Sequence, residues 1–352
     1  MFKDNLNQRQ LNILKFIQKK EKVSNIDIRN YLRDKGIQVS RITVVRDINT
    51  LLDKNLVKKY GKGRSVWYEE KERSEFLKYI DIDKYFKKGP DERKIAFKNF
   101  NFDVFKRLDN VFNEKEKKEL IDLNNQYKRQ VKKLSSTLLQ KELERLTIDL
   151  SWKSSQIEGN TYSLIDTEAL IKENKKAPGH SQEEATMILN HKKALDYILN
   201  NKDYFKKLNF QKIREIHKIL LKNLGVKSRI REHGVGITGT KYKPLDNKFQ
   251  IKEALEKLVK LINNKDNPLA KSLIVGLFIS YIQPFEDGNK RTSRMLTNAL
   301  LLAYNFCPLS FRSVDTAEYK KAIIVFYEQN NFRFFKELFK EQFRFAVNNY
   351  FL

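Results

Sequence analysis

Gln283-Pro284-Phe285-Glu286-Asp287-Gly288-Asn289-Lys290-Arg291-Thr292-Ser293-Arg294 is the stretch whose reading decides the fold. It follows an apolar run, 272–282, that reads as a buried helix, and it leads into a second helical pattern. The stretch is therefore a loop that opens a helix. Asp287, Gly288, Asn289 and Lys290 place small and polar residues where backbone N–H groups converge at a helix start, and the helix dipole adds partial positive charge there. Phosphate is the ligand suited to such a nest. Arg291 and Arg294 stand three apart on one helix face, so both guanidinium groups can lean back toward that phosphate. Asp287 can hold a magnesium ion that bridges phosphate oxygens.

These residues resemble the signature of the Fic family, His-Pro-Phe-x-Asp/Glu-Gly-Asn-Gly/Lys-Arg with a second arginine three residues on, and every position but the first matches. The resemblance implies a mainly α-helical Fido fold and an enzyme that uses ATP and Mg²⁺ to transfer AMP to a hydroxyl of a target protein. It implies a metal at Asp287, an anion hole from Gly288, Asn289 and Lys290, and phosphate contacts from Asn289, Arg291 and Arg294. Upstream, Ser154-Ser155-Gln156-Ile157-Glu158-Gly159-Asn160 resembles the inhibitory motif of one class of the family. By that resemblance Ser154, Glu158 and Gly159 form a brake in which Glu158 pairs with Arg294. A carboxylate on that guanidinium takes the place of the γ-phosphate.

Gln283 is the departure, because the family has its histidine general base there. An imidazole with a pKa of about 6.5 accepts a hydroxyl proton at neutral pH and a carboxamide does not, a loss of roughly 10²–10⁴ in rate. Three readings follow: a slow transferase, a nucleotide-binding regulator without transfer, or a hydrolase that removes AMP with Glu158 orienting water. Of the four histidines, His180, His191 and His217 lie away from the motif in sequence and read as surface or packing residues. His233 opens 232–244, where Val235, Ile237 and Tyr242 alternate around Gly234, Gly236 and Gly239. That pattern predicts a small β-hairpin. It resembles the family's flap, in which Val235, Gly236 and Ile237 would hold a target segment as an added strand and His233 would be a substitute base.

Working outward, residues 113–352 carry long helical patterns, and 71–112 read as a charged, aromatic connecting segment broken at Gly89-Pro90. Residues 1–70 show three short helical patterns and two strand-like pieces, the spacing of a winged helix-turn-helix, an α+β module. Leu11, Leu14 and Ile17 stripe the first helix. Ser24 caps the second with Asp27 in support, and Ser40 caps the third. Thr43, Arg46 and Thr50 lie opposite its apolar stripe and would meet the major groove of duplex DNA. Lys62 and Arg64, in a glycine turn between strand pieces at 57–60 and 65–68, would touch phosphates. A winged helix used only for protein docking is the competing reading.

Lys plus Arg number 70 against 44 Asp plus Glu, a net charge of +26, which favours polyanions as partners unless it reflects only a lysine-rich surface. Cys307 is the single cysteine, so no intrachain disulfide forms and a buried thiol is expected. The polar first ten residues and the shortness of the apolar runs point to a cytoplasmic protein with no membrane partner. A homodimer is left open. There is no metal-ligand His/Cys cluster, nucleophile elbow or Walker motif.

Overall fold

The structure is a computed structural model that describes residues 6–20, 22–71, 76–108 and 111–352. It divides into two compact units, Met1–Asp81 and Ile82–Leu352.

In the first unit α1 (Gln8–Lys19), β1 (Val23–Ser24), α2 (Asn25–Asp34), α3 (Arg41–Asp53), β2 (Val57–Tyr60) and β3 (Trp67–Glu70) follow in order. Ser24 and Asp27 form a reciprocal capping box at α2, and Ser40 accepts from the Thr43 amide at α3. The three helices bury Leu14, Ile17, Ile28, Leu32, Val44, Ile48 and Leu51 in one core. The strands form an antiparallel sheet in the order β1-β3-β2, with Lys59 opposite Tyr68. Two details differ from the sequence reading. The two-residue β1 is too short to show a period, and β3 begins at Trp67 because Gly63–Ser65 turn as a 3₁₀ segment. Gly61 makes that turn at φ +76°, where a Cβ would stand 2.2 Å from the Ser65 carbonyl oxygen.

The second unit is helical: α4 (Ile82–Phe86), α5 (Glu114–Lys133), α6 (Ser136–Ile157), α7 (Leu164–Glu173), α8 (Gln182–Asn200), α9 (Phe210–Leu220), α10 (Lys248–Asn264), α11 (Pro268–Ile282), α12 (Asn289–Ala303), α13 (Thr316–Gln329) and α14 (Arg333–Asn349). Residues Leu269 to Ile282 of α11 are all buried, which is why that helix has no polar face in sequence. α12 packs against it along its length. The loop between them therefore hangs from the ends of two buried helices. Cys307 is buried, and burial pushes its thiol well up.

The segment read as a connection behaves differently over 82–108, where it belongs to the helical unit. Arg93, 6% exposed, donates from Nε and Nη2 to the two carboxylate oxygens of Glu328 at 3.0 and 2.8 Å. The amides of Ala96 and Phe97 donate to the Glu328 carbonyl, and that of Asn101 to the Tyr281 hydroxyl. Such long-range partners leave no local period to read.

The hairpin expected at 232–244 is not formed. The only β-bridge there joins Lys243 to Asn99, in parallel. Instead of pairing with itself, the segment is an extended strap pinned by two buried arginines. Arg231 donates to the carbonyls of Gln283 (2.6 Å), His233 (2.6 Å) and Leu245, and Arg93 donates to the carbonyl of Gly239. No helix among the described residues is long and apolar enough to cross a membrane.

Candidate functional site

A cleft of about 490 Å³ brings together three stretches distant in sequence: Glu158 at the end of α6, residues 235–238 of the strap, and Gln283 with 286–290 of the loop. Tyr319 and Tyr327 of α13 close it from the side.

The loop is held by its own side chains. Gln283 caps α11 with φ +52° and ψ 58°. Its amide donates to the Ser280 carbonyl at 2.7 Å, and its Oε1 accepts from Asn289 Nδ2 at 2.8 Å. Asn289 also donates to the Phe285 carbonyl and accepts from the Phe285 amide. Asn289, predicted to touch phosphate, is thus committed to closing the loop, because its amide is the group that can bridge both strands of the turn. Phe285 is fully buried and anchors the turn from within.

Gly288 is the N-cap of α12 at φ +77°, with no side chain capping the first turn. The uncapped amides of that turn and the positive end of the helix dipole stand where the sequence predicts an anion nest. A Cβ on Gly288 would meet Leu221 Cδ2 at 2.4 Å, so glycine is required by both conformation and space. Lys290 is partly exposed beside the nest. Asp287 has an exposed carboxylate that accepts from Arg291 Nη2 at 2.6 Å. Among the described residues no group of three or more His, Cys, Asp or Glu could hold a metal by itself. Asp287, one of three carboxylates that line the cleft with Glu158 and Glu286, suits Mg²⁺ that arrives with nucleotide phosphates, since that ion keeps water and phosphate as most of its ligands.

Arg291 and Arg294 are both nearly fully buried and lie beneath the cleft instead of lining it. Arg294 donates to Ser154 Oγ and the Ser154 carbonyl, each at 2.9 Å, and to Glu158 Oε1 at 2.7 Å. Lys290 Nζ lies 3.8 Å from the other Glu158 oxygen. Burial opposes the charged carboxylate, but Arg294 and Lys290 outweigh it and hold Glu158 below its ordinary pKa. Gly159 follows at φ +100°, turning the chain away from the arginine. The Nη1 atoms of Arg291 and Arg294 are buried with no hydrogen-bond partner among the described residues.

Two histidines assigned to surface or packing lie behind this site. His191, on the buried face of α8, bonds Ser154 Oγ through Nε2 at 2.8 Å and the Met187 carbonyl through Nδ1. Burial, with Arg291 and Arg294 nearby, pushes its pKa down to about 3. His217 of α9 bonds the Asp287 carbonyl through Nε2 at 2.9 Å. Burial pushes its pKa down to about 4. Their signal in sequence was helical spacing with apolar neighbours, Ile188 and Leu195 around His191 and Ile213 and Leu220 around His217. His180 packs on Tyr162 instead, and His233 is exposed and does not line the cleft.

In the first unit Arg46 and Lys62 are exposed. Thr43 and Thr50 are half-buried with their hydroxyls engaged locally, Thr43 with the Ser40 hydroxyl and Thr50 with the Arg46 carbonyl. The outward face of α3 carries Ile42 and Asn49 beside Arg46. The Arg64 side chain lies outside the described residues.

Residues 207–301 match the sequence profile of the Fic/DOC family. It is similar to the protein adenylyltransferase Fic of Nematostella vectensis, 29% identical over 184 residues, 48% of this chain and 40% of that protein. It is also similar to protein adenylyltransferase fic-1 of Caenorhabditis elegans, 25% identical over 197 residues, 54% of this chain and 38% of that protein. The chain therefore spans about two fifths of the length of these relatives. Among solved structures, Fic-1 of Caenorhabditis elegans superposes with a TM-score of 0.58 at 22% identity, over 66% of this chain and 70% of that one. A Fic domain containing signaling protein of Bacteroides thetaiotaomicron gives 0.56 at 20%, over 65% and 94%. These two likenesses show the mainly helical fold.

Proposed function

We propose that the Fic/DOC domain binds ATP with Mg²⁺ in the cleft and transfers AMP to a hydroxyl of a target protein, restrained by Glu158 and slowed by Gln283. The observation that supports this reading is the Glu158–Arg294 pair, a cleft-lining carboxylate docked on a guanidinium buried beneath the cleft. A phosphate that displaced the carboxylate would inherit its place on Arg294. The first-turn amides of α12 and Lys290 would hold the phosphate chain, and Asp287 would share Mg²⁺ with it, the ion supplying charge neutralisation as pyrophosphate leaves. The target oxygen bonds the α-phosphorus, the α–β bridging P–O bond breaks, and the hydroxyl proton is released to water. The strap residues Val235, Gly236 and Ile237 line the same cleft and would hold the target segment.

A second reading keeps the nucleotide and omits the transfer. It is favoured by Gln283, whose carboxamide is engaged on both sides and cannot accept a proton. Labelling with α-³²P-ATP and Mg²⁺ separates the two. Label on Glu158→Gly supports transfer, and label only on Glu158→Gly/Gln283→His supports nucleotide binding without transfer. Neither label nor nucleotide binding in any variant would remove both.

For the first unit we propose a winged helix-turn-helix that binds duplex DNA, with exposed Arg46 on α3 toward base edges and exposed Lys62 toward phosphates. The helix order and the three-stranded sheet support it. A cytoplasmic location is part of the same reading.

A further inference from the structure

We propose that His217 is a positioning residue for the cation-binding carboxylate, a clamp from α9 that fixes the Asp287–Gly288 turn. The inference rests on the reading of the cleft as a nucleotide–Mg²⁺ site. His217 is 0% exposed and sits 70 residues before the aspartate it holds. Its Nε2 can only donate to the Asp287 carbonyl, which requires Nδ1 to accept, and Ser228 Oγ stands 2.8 Å from Nδ1 to donate. Arg214 Nε donates to the Ser228 carbonyl at 2.7 Å and holds that partner in place. The hydrogen bonds therefore select one tautomer.

The same helix end packs the turn from two sides. The imidazole stacks on Phe285 with ring centres 3.8 Å apart, and Leu221 fills the space that a side chain on residue 288 would need. Gln283 and Asn289 brace the loop on its Phe285 side, whereas Gly288 has no capping side chain and sits in the left-handed region, so the bond from His217 is what reaches the Asp287 carbonyl. The His217 bond holds the Asp287 backbone while Arg291 holds its carboxylate, so the two together fix the direction in which that carboxylate points. Partners behind a metal ligand act in this way, orienting the ligand and not touching the ion.

The competing role is simple packing, and the two differ in what Mg²⁺ does. ATP binding is measured by calorimetry on the full chain carrying Glu158→Gly, once with Mg²⁺ and once with EDTA. His217→Phe keeps a ring against Phe285 and removes the donor. His217→Gln restores a donor near the Nε2 position without the ring, and Ser228→Ala leaves the ring but frees Nδ1. His217→Phe is expected to weaken Mg²⁺–ATP binding by about tenfold and to weaken binding in EDTA by clearly less. His217→Gln should recover most of the loss, and Ser228→Ala should fall between.

Equal weakening with and without Mg²⁺, no weakening in His217→Phe, or a glutamine no better than the phenylalanine would each overturn the proposal. Absence of ATP binding in the Glu158→Gly reference chain is a separate result. It would remove the nucleotide reading of the cleft and this inference with it.

Discussion

Removing the Glu158 carboxylate should move stability and nucleotide affinity in opposite directions. In the free protein Glu158 Oε1 accepts from Arg294 at 2.7 Å, on a guanidinium only 1% exposed. Breaking a buried pair costs ~3–5 kcal/mol when the remaining charge is stranded. Arg294 is not stranded, because it keeps two bonds to Ser154. The loss should therefore be close to that of one charge-assisted hydrogen bond, about 2 kcal/mol. At roughly 2–4 °C per kcal/mol for a domain of this size, Glu158→Gly should melt about 4–8 °C lower without ligand.

The same 2 kcal/mol no longer has to be given up when a phosphate reaches Arg294, so ATP affinity should rise about 30-fold. Glu158→Gln, which can still accept from Arg294, should show a smaller change of the same two signs. Scanning calorimetry without nucleotide and titration with Mg²⁺–ATP read the two effects. A lower melting temperature with unchanged affinity would mean that Glu158 is only a structural helix cap, and the restraint argument would fail.

Gly288→Ala should destabilise the chain by about 1–3 kcal/mol through its left-handed φ alone, with more from the contact at Leu221. Leu221→Ala in the same chain should relieve the contact and not the φ, so a single mutant as stable as wild type would refute the account. His191 and His217 have pKa values pushed down to about 3 and about 4 from 6.5, so the unfolded chain binds protons that the folded chain refuses. Stability should be fully present above about pH 6.5 and fall as pH drops toward 4, at up to ~1.4 kcal/mol per pH unit for each group. His191→Gln or His217→Gln should flatten the slope in denaturant titrations, and an unchanged slope would argue against buried neutral rings. For the first unit, Arg46→Ala should change sequence preference while Lys62→Ala weakens all duplexes alike. The logarithm of affinity should fall with log salt by about 0.9 per phosphate contact, and salt-independent binding in an anisotropy series would count against the assignment.

Much of the fold is legible because its signals are local. Ser24 and Ser40 each accept from a backbone amide at the helix start where the sequence places a cap, and Asn113, Ser135 and Ser181 do the same at later helices. The all-apolar text of α11 announces burial on every side. The stretch 283–294 is legible as a loop that opens a helix because a buried apolar run ends before it and Gly288 begins the next helix at a positive φ. The pairing of Glu158 with Arg294 was reached through resemblance between motifs, and the structure places the two in contact.

What the sequence by itself determined, then, is the helical character of 113–352, the burial of α11 and the loop that leads from it into the next helix, since caps, periods and glycine conformations act over a few residues. Only the tertiary structure decided what surrounds that loop. His217 reaches it from 70 positions away, Arg93 finds Glu328 across 235, and Ser154 connects His191 to Arg294. Each is a polar group whose partner is named by burial, which requires a hydrogen bond but leaves no period in the sequence. The strap at 232–244 shows the same limit from the other side. Its alternating pattern promises a hairpin, but two buried arginines hold its ends and middle, and a strand without a ladder partner stays a strap.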